Sequence, residues 1–209
     1  MTDALVETLR ASILAGDFDP GEHLRQSELA EQYGVSRIPM RDALSRLAAD
    51  GLIVFDQHRN ARVVVLVPHD VREVYAIRLA LEPMAAHATV SRIDAASAKR
   101  LVQLSEMMDF NAKDPELGPS SRRTFYDVFY AESGLTRIHA VIMRMRDEIT
   151  LYHRTSTSPI SESHETLRRC IIDRDADHAE KVVALHLTQA RDDLIESLQD
   201  RLTTAKDPE

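Results

Sequence analysis

The tightest constraint on this chain is where it can break. Gly16, Pro20, Gly21, Gly34, Pro39 and Gly51 crowd into its beginning, whereas from about residue 70 the apolar pattern is long and helical. Glycine and proline punctuate local structure. The front of the chain must therefore be built of short elements and the back of long ones. Pro68 falls between a β-rich run, Arg62 to Val67, and the next helical run, and places a boundary between two domains, 1–67 and 68–209. There is no internal repeat and no low-complexity segment.

In the first domain Leu5, Leu9 and Ile13 recur at helical spacing and form one face. DFDPGEHL then reads as a turn. Ser27 to Tyr33 is a short helix that Gly34 ends. Ser36 is a suitable N-cap for the helix Arg37 to Ala49, and Pro39 in its first turn costs little because that N–H has no helical partner. This helix has an apolar face, Met40, Leu44 and Leu47, and a polar face, Arg37, Arg41 and Ser45. After Gly51, LIVF and ARVVVLV are β-rich runs joined by DQHRN, a hairpin.

That order is the order of a winged helix-turn-helix. The polar face of the second short helix would enter a major groove, with Arg37 and Arg41 near the end that meets bases or phosphates. Ser36 and Ser45 share that region. Arg59, at the hairpin tip, is placed to reach a phosphate or the minor groove.

Composition excludes little. The apolar share of 44% and charged share of 29% are ordinary for a globular protein. No apolar run approaches the ~20 residues of a membrane span, and the N-terminus lacks the basic start and apolar core of a signal peptide. Cys170 is the only cysteine, so no intrachain disulfide forms, which fits a reducing cytoplasm. The net charge is −8, and residues 1–67 hold ten acids against seven arginines. DNA contact must then come from a few placed arginines, not from bulk charge.

LRASILAGDFDPGEHLRQSELAEQYGVSRIPMRDALSRLAADGLI resembles the N-terminal domain of GntR-type transcriptional regulators, through its PGE, ELAEQYGVSR and PMRDAL–RLAADGL runs. Asn60 departs from the family, which commonly has Gly at the wing tip; Asn tolerates positive φ, so the turn survives. DVREVYAIRLALEPMAAHAT, FYDVFYAESGL and HETLRRCIIDRDADHAEKVVALHL resemble the all-helical effector domain of the FadR branch, the FCD type. The resemblance covers about residues 4–200. It implies a mainly α protein, a winged helix-turn-helix followed by an all-α bundle that binds an effector and dimerises.

The resemblance also implies a metal site. Many members carry an Asp and a His four residues apart on the ligand helix and two histidines on the last hairpin, which together hold a divalent ion that an organic acid coordinates. His164 and His186 match the hairpin pair. Anchored on Ser133-Gly134, the other two positions hold Arg122 and Tyr126. An arginine repels a cation, and two histidines alone make a poor site. Asp127 lies about 100° around the helix from Tyr126. No metal cofactor is therefore expected; were one bound, His164 and His186 would be its ligands.

Phe125, Tyr126, Phe129 and Tyr130 are four of only ten Phe and Tyr residues, in a chain without Trp. Arg122 and Tyr126 share a face at i,i+4. With His164 and His186 they offer a guanidinium, a phenol and two imidazoles, a set suited to a carboxylate or phosphate. The alternative is a degenerate site. Phe125 and Phe129 read as core, and Tyr130 as either. Arg78 and Glu82 read as a helical surface salt bridge, with Arg78 a further effector candidate because the family pocket often has an arginine near this point. His139 and His153 lie on a helix whose core face is Ile138, Val141, Ile142 and Met145.

The expected protein is a cytoplasmic, homodimeric, ligand-responsive regulator of transcription. It would bind double-stranded operator DNA, take a small organic acid or phosphate as effector, and act as a repressor by family habit. It is not expected to be an enzyme: there is no nucleophile–base motif, no Gly-rich phosphate loop and no HExxH. The rivals are a metal-dependent hydrolase using the helical-domain histidines and an architectural DNA-binding protein with an inert helical domain.

Overall fold

In the computed structural model, which describes residues 2–57, 60–114, 117–153 and 161–204, the chain divides into two units, Met1–Val65 and Leu66–Glu209. In the first, Leu5, Leu9 and Ile13 lie buried on one face of α1 (Thr2–Ala15). They pack against α3 (Arg37–Ala49), whose Met40, Leu44 and Leu47 are buried in turn. Between α2 (Gln26–Gln32) and α3 the chain reverses at Gly34, where φ is +64°. A side chain rarely adopts that conformation, so the turn between the two short helices depends on glycine.

The hairpin expected after Gly51 is present as β2 (Ile53–Phe55) and β3 (Ala61–Val63), shorter than the β-rich runs. The expected turn DFDPGEHL differs: His23–Leu24 within it form β1, which pairs antiparallel with β3, Leu24 opposite Ala61. The sheet order is β1-β3-β2. Asn60 is not among the described residues with positive φ. It closes the wing turn by hydrogen bonds instead, its backbone N–H and side-chain amide donating to the Asp56 carboxylate at 2.8 and 2.9 Å.

Every described element of the second unit is a helix. The unit comprises α4 (Pro68–Arg92), α5 (Ala95–Phe110), α6 (Leu117–Ala131), α7 (Thr136–His153), α8 (Ser161–Asp173) and α9 (Ala176–Thr204). Pro68 opens α4, and the Asp70 carboxylate accepts from the Val67 N–H at 3.0 Å. That satisfies one donor the helix leaves unpaired. Asp94 caps α5 by accepting from the Ser97 N–H at 2.7 Å. The Ser133-Gly134 stop after α6 is built by the Ser133 hydroxyl, which donates to the Tyr130 carbonyl and accepts from the Leu135 N–H. α4 packs along α9. No described helix is long and apolar enough to cross a membrane.

Candidate DNA interface and effector cavity

Arg37, Arg41 and Ser45 stand exposed on α3. With Gln26 and Ser27 at the start of α2 and Asn60 on the wing they line an open groove of about 1090 Å³. Neighbouring arginines are neutralised locally: Arg25 pairs with Glu28 at 2.8 Å, and Arg46 with Asp3 and Asp42. Arg37 and Arg41 make no ion pair with a described residue. A charge without a partner on an exposed helix face is available to a phosphate or a guanine edge. Gln26, which the sequence pattern did not single out, donates its side-chain amide to the Arg37 carbonyl at 2.6 Å and ties α2 to the start of α3.

Ser36 occupies the N-cap position, but its side chain accepts no capping bond. Pro39 explains this, because the third helical residue is one of the two usual donors to a capping hydroxyl and proline has no N–H. The Ser36 hydroxyl is exposed and makes no hydrogen bond with a described residue that would compete with DNA. Ser45 donates to the Arg41 carbonyl one turn back, at 2.8 Å. Arg59 lies outside the described residues.

In the helical unit the aromatic stretch forms a stack. Phe125 and Phe129 are buried and stacked, as core residues. Tyr126 and Tyr130 stack on the neighbouring line and face a small cavity with Glu82, Arg146, His164 and His186. The free space, about 10 Å³ for the centre of a water-sized sphere, suits roughly one water molecule.

Glu82 is the hub. Arg78 and Arg146 each meet it at 2.6 Å, and the Tyr130 hydroxyl donates to it at 2.7 Å. Burial alone would raise its pKa, but the two guanidiniums and the hydrogen bonds outweigh burial and hold it down to about 2. The expected surface pairing of Arg78 with Glu82 is corrected here, since both are buried. The reason is the spacing of Val71, Val74, Tyr75, Arg78, Glu82 and Ala85, which puts the pair on the core face of α4. Burial opposes the charge on Arg78, and Glu82 overcomes that opposition.

Arg146 lies 3.2 Å from the centroid of the Tyr126 ring, a cation–π contact. The Tyr126 hydroxyl is 3.3 Å from His164 Nε2, while His164 Nδ1 faces Asp109 at 3.3 Å. Asp109 also takes Arg168 at 2.9 Å. His186 Nδ1 is 2.9 Å from the Ser163 hydroxyl. Burial pushes His164 down to about 3, helped by Arg122, Arg146 and Arg168. Burial does the same to His186, helped by His164, Arg78 and Arg146 and opposed by Glu82. Both imidazoles are neutral near pH 7.

Tyr126, His164 and His186 thus share the cavity wall, and Arg78 and Arg122 are not on it. Arg122 is half-buried, and its Nε has no hydrogen-bond partner among the described residues. Burial lowers its pKa, Tyr126 opposes this, and the Arg146 charge adds to it. Among the described residues, three guanidiniums, of Arg78, Arg122 and Arg146, therefore act on this region against one carboxylate, Glu82, an excess of two positive charges. Arg168 and Asp109 balance each other. The sequence pattern missed Arg146, Asp109, Ser163 and Arg168.

This donor set does not fit a divalent metal. His164 has both ring nitrogens near partners, Glu82 is held by two arginines, and Arg122 and Arg146 bring positive charge. Asp127 turns away and meets His139 at 2.8 Å. Among the described residues no group of three His, Cys, Asp or Glu side chains is placed to hold an ion. The His153 side chain lies outside the described residues.

A winged helix with free arginines on its second short helix, joined in sequence to a helical bundle that encloses a charged cavity, defines a two-domain DNA-binding regulator. Residues 1–63 match the family of bacterial regulatory proteins named gntR, and residues 73–189 match the FCD domain. The chain belongs to the GntR family of transcriptional regulators, with an FCD domain, a family of regulators and not of enzymes. It is similar to the HTH-type transcriptional repressor GlaR of Escherichia coli (strain K12), 24% identical over 86% of this chain and 89% of that one. It is 37% identical to the HTH-type transcriptional regulator YdhC of Bacillus subtilis (strain 168), over 41% of this chain and 38% of that one. In structure it is similar to E. coli McbR/YncC, with a TM-score of 0.83, 22% identity, and coverage of 94% of this chain and 97% of that one.

Proposed function

We propose that this regulator is a cytoplasmic homodimeric repressor whose affinity for operator DNA changes when a small dianion, a dicarboxylate or a phosphate, binds in the FCD domain without a metal. The observation that carries this reading is the excess of two positive charges around the cavity, together with the orphaned Nε of Arg122. A half-buried guanidinium without a partner is costly, and an anion is the species that relieves that cost. Tyr126, His164 and His186 supply neutral hydrogen-bonding groups beside it, and Arg78 holds Glu82 in place. The cavity holds about one water as it stands. An effector must therefore displace Arg146 or turn Tyr126, and either movement shifts the packing of α6 against α7. Such differential contact is what lets a ligand bias one state of a protein over another.

On the DNA side, Arg37, Arg41, Ser36 and Ser45 contact the operator, with Arg59 on the wing, in a domain spanning 1–67; residues 68–209 form the effector and dimerisation domain. A two-fold operator asks for a two-fold protein. One face of α4 supports this: Ala76, Ile77, Ala80 and Met84 are exposed at helical spacing. Antiparallel packing of two α4 helices about Ala80 sets Ala76 against Met84 and Glu73 against His87 of the second copy. The test is thermal shift and operator affinity with inorganic phosphate, succinate and acetate. Phosphate or succinate should raise Tm and change operator affinity while acetate does much less. No response to any of the three would sink the effector reading.

A further inference from the structure

Ile38 is the second residue of α3 and is 75% exposed. The core-building side chains of that helix, Met40, Ala43, Leu44 and Leu47, lie on another face and are buried. Ile38 therefore adds almost nothing to packing, and its apolar surface is left in water. Arg37 precedes it and Arg41 follows three residues on, so the apolar side chain is bracketed by the two exposed arginines that have no ion partner among the described residues. Pro39 comes next, and its fixed φ stiffens the turn that presents all three.

A face that carries two free guanidiniums fits a polyanion. On the floor of a DNA major groove each base pair offers donors and acceptors, and the single apolar group offered there is the 5-methyl of thymine. We propose that Ile38 reads a thymine methyl in each operator half-site, next to the positions that Arg37 and Arg41 contact, and is a specificity-determining residue of this regulator. The inference rests on the assignment of α3 as the DNA-reading helix. A branched β-carbon leaves Ile38 few rotamers. It would therefore present its methyl groups to the base in one defined direction, and cytosine, which lacks that methyl, would be discriminated against.

The experiment uses the full-length protein. An operator is first selected from random duplex DNA, and each thymine in it is then replaced in turn by deoxyuridine, which removes only the methyl group. The wild type should lose about fourfold in affinity at one thymine per half-site, the worth of one buried methyl. Ile38→Ala should bind the thymine operator more weakly by a similar factor and show no further loss at that deoxyuridine. Ile38→Val, which keeps two methyl groups, should retain the deoxyuridine effect, and Tm should be unchanged in both variants. If no deoxyuridine costs the wild type affinity, or if the cost persists in Ile38→Ala, the proposal is overturned. That includes the case in which Ile38 packs only on deoxyribose, since the sugar is the same in both duplexes. If the wild type enriches no sequence, the assignment of α3 itself fails and the proposal falls with it.

Discussion

Glu82 of α4 and Arg146 of α7 meet at 2.6 Å, with both side chains withdrawn from solvent, and the same carboxylate holds Arg78 at 2.6 Å. One acid thus pairs with two arginines. Removing it leaves two buried charges unpaired, whereas the pair itself adds little beyond offsetting its own desolvation. Glu82→Ala should cost about 3–5 kcal/mol in a urea unfolding curve. A cost under about 1 kcal/mol would mean that water or other groups solvate the arginines.

The pH response of the same residue has a definite sign. Its carboxyl is held at about 2 in the fold, against an ordinary value of 4.5. The folded state binds the proton less readily than the unfolded chain, so the contribution is complete above pH 4.5 and is lost as pH falls through about 2. The stability difference between wild type and Glu82→Gln, from urea curves at each pH, should be flat from pH 7 to 5. It should then narrow by a few kcal/mol, in order of magnitude, toward pH 3 and below. A difference that widens on acidification would show that Glu82 is protonated in the fold.

Arg122 makes a prediction of opposite sign for stability and function. Its Nε is buried without a partner among the described residues, and burial already disfavours its charge. Arg122→Met keeps the aliphatic volume and removes the charge. The variant should melt higher than wild type without ligand, by roughly 1–2 kcal/mol in stability, and should lose the Tm rise that phosphate or succinate gives. A variant that is less stable and still responds to the anions would place the effector elsewhere.

How far the sequence foretold all this depends on how local each signal is. α3 was legible because Ser36, Pro39 and the two faces of Arg37 to Ala49 lie within fourteen residues. β1 was not, because a two-residue strand has no alternation to detect, and its pairing to β3 is set by tertiary contact. Arg78 and Glu82 were visible as a pair one turn apart, but their depth follows from α9 and α7 covering that face of α4. Arg146 was invisible as a site residue. Its partner Glu82 is 64 positions away, and it adjoins the apolar residues Met145 and Ile149 of α7, whose periodicity says nothing about a charge beside them. His164 and His186 were found by resemblance, and their neutrality follows only from burial among arginines.

The α4 face gives a test of assembly. Ala80 is exposed at the centre of the stripe formed by Ala76, Ile77 and Met84. Ala80→Glu would set two like charges against each other at a two-fold axis, which repel as well as desolvate. Sedimentation should show the wild type as a dimer and the variant as a monomer with unchanged helicity, bound to single half-sites only. A variant that remains dimeric would move the interface to another surface.

The last prediction concerns Arg41. It is exposed, has no ion partner among the described residues, and leads one side of the groove that Gln26, Ser27 and Asn60 complete. The folded protein draws no pairing energy from it, so Arg41→Ala should leave Tm and the oligomeric state unchanged. A guanidinium bidentate to guanine is worth about 1–3 kcal/mol, so operator affinity should fall by roughly one to two orders of magnitude. The two possible roles separate by salt titration. Loss of a phosphate contact lowers the slope of log affinity against log salt by about one and weakens all sequences alike. Loss of a base contact leaves the slope nearer its original value and relaxes preference at one position. Unchanged operator affinity and an unchanged footprint in Arg41→Ala would remove α3 from the groove.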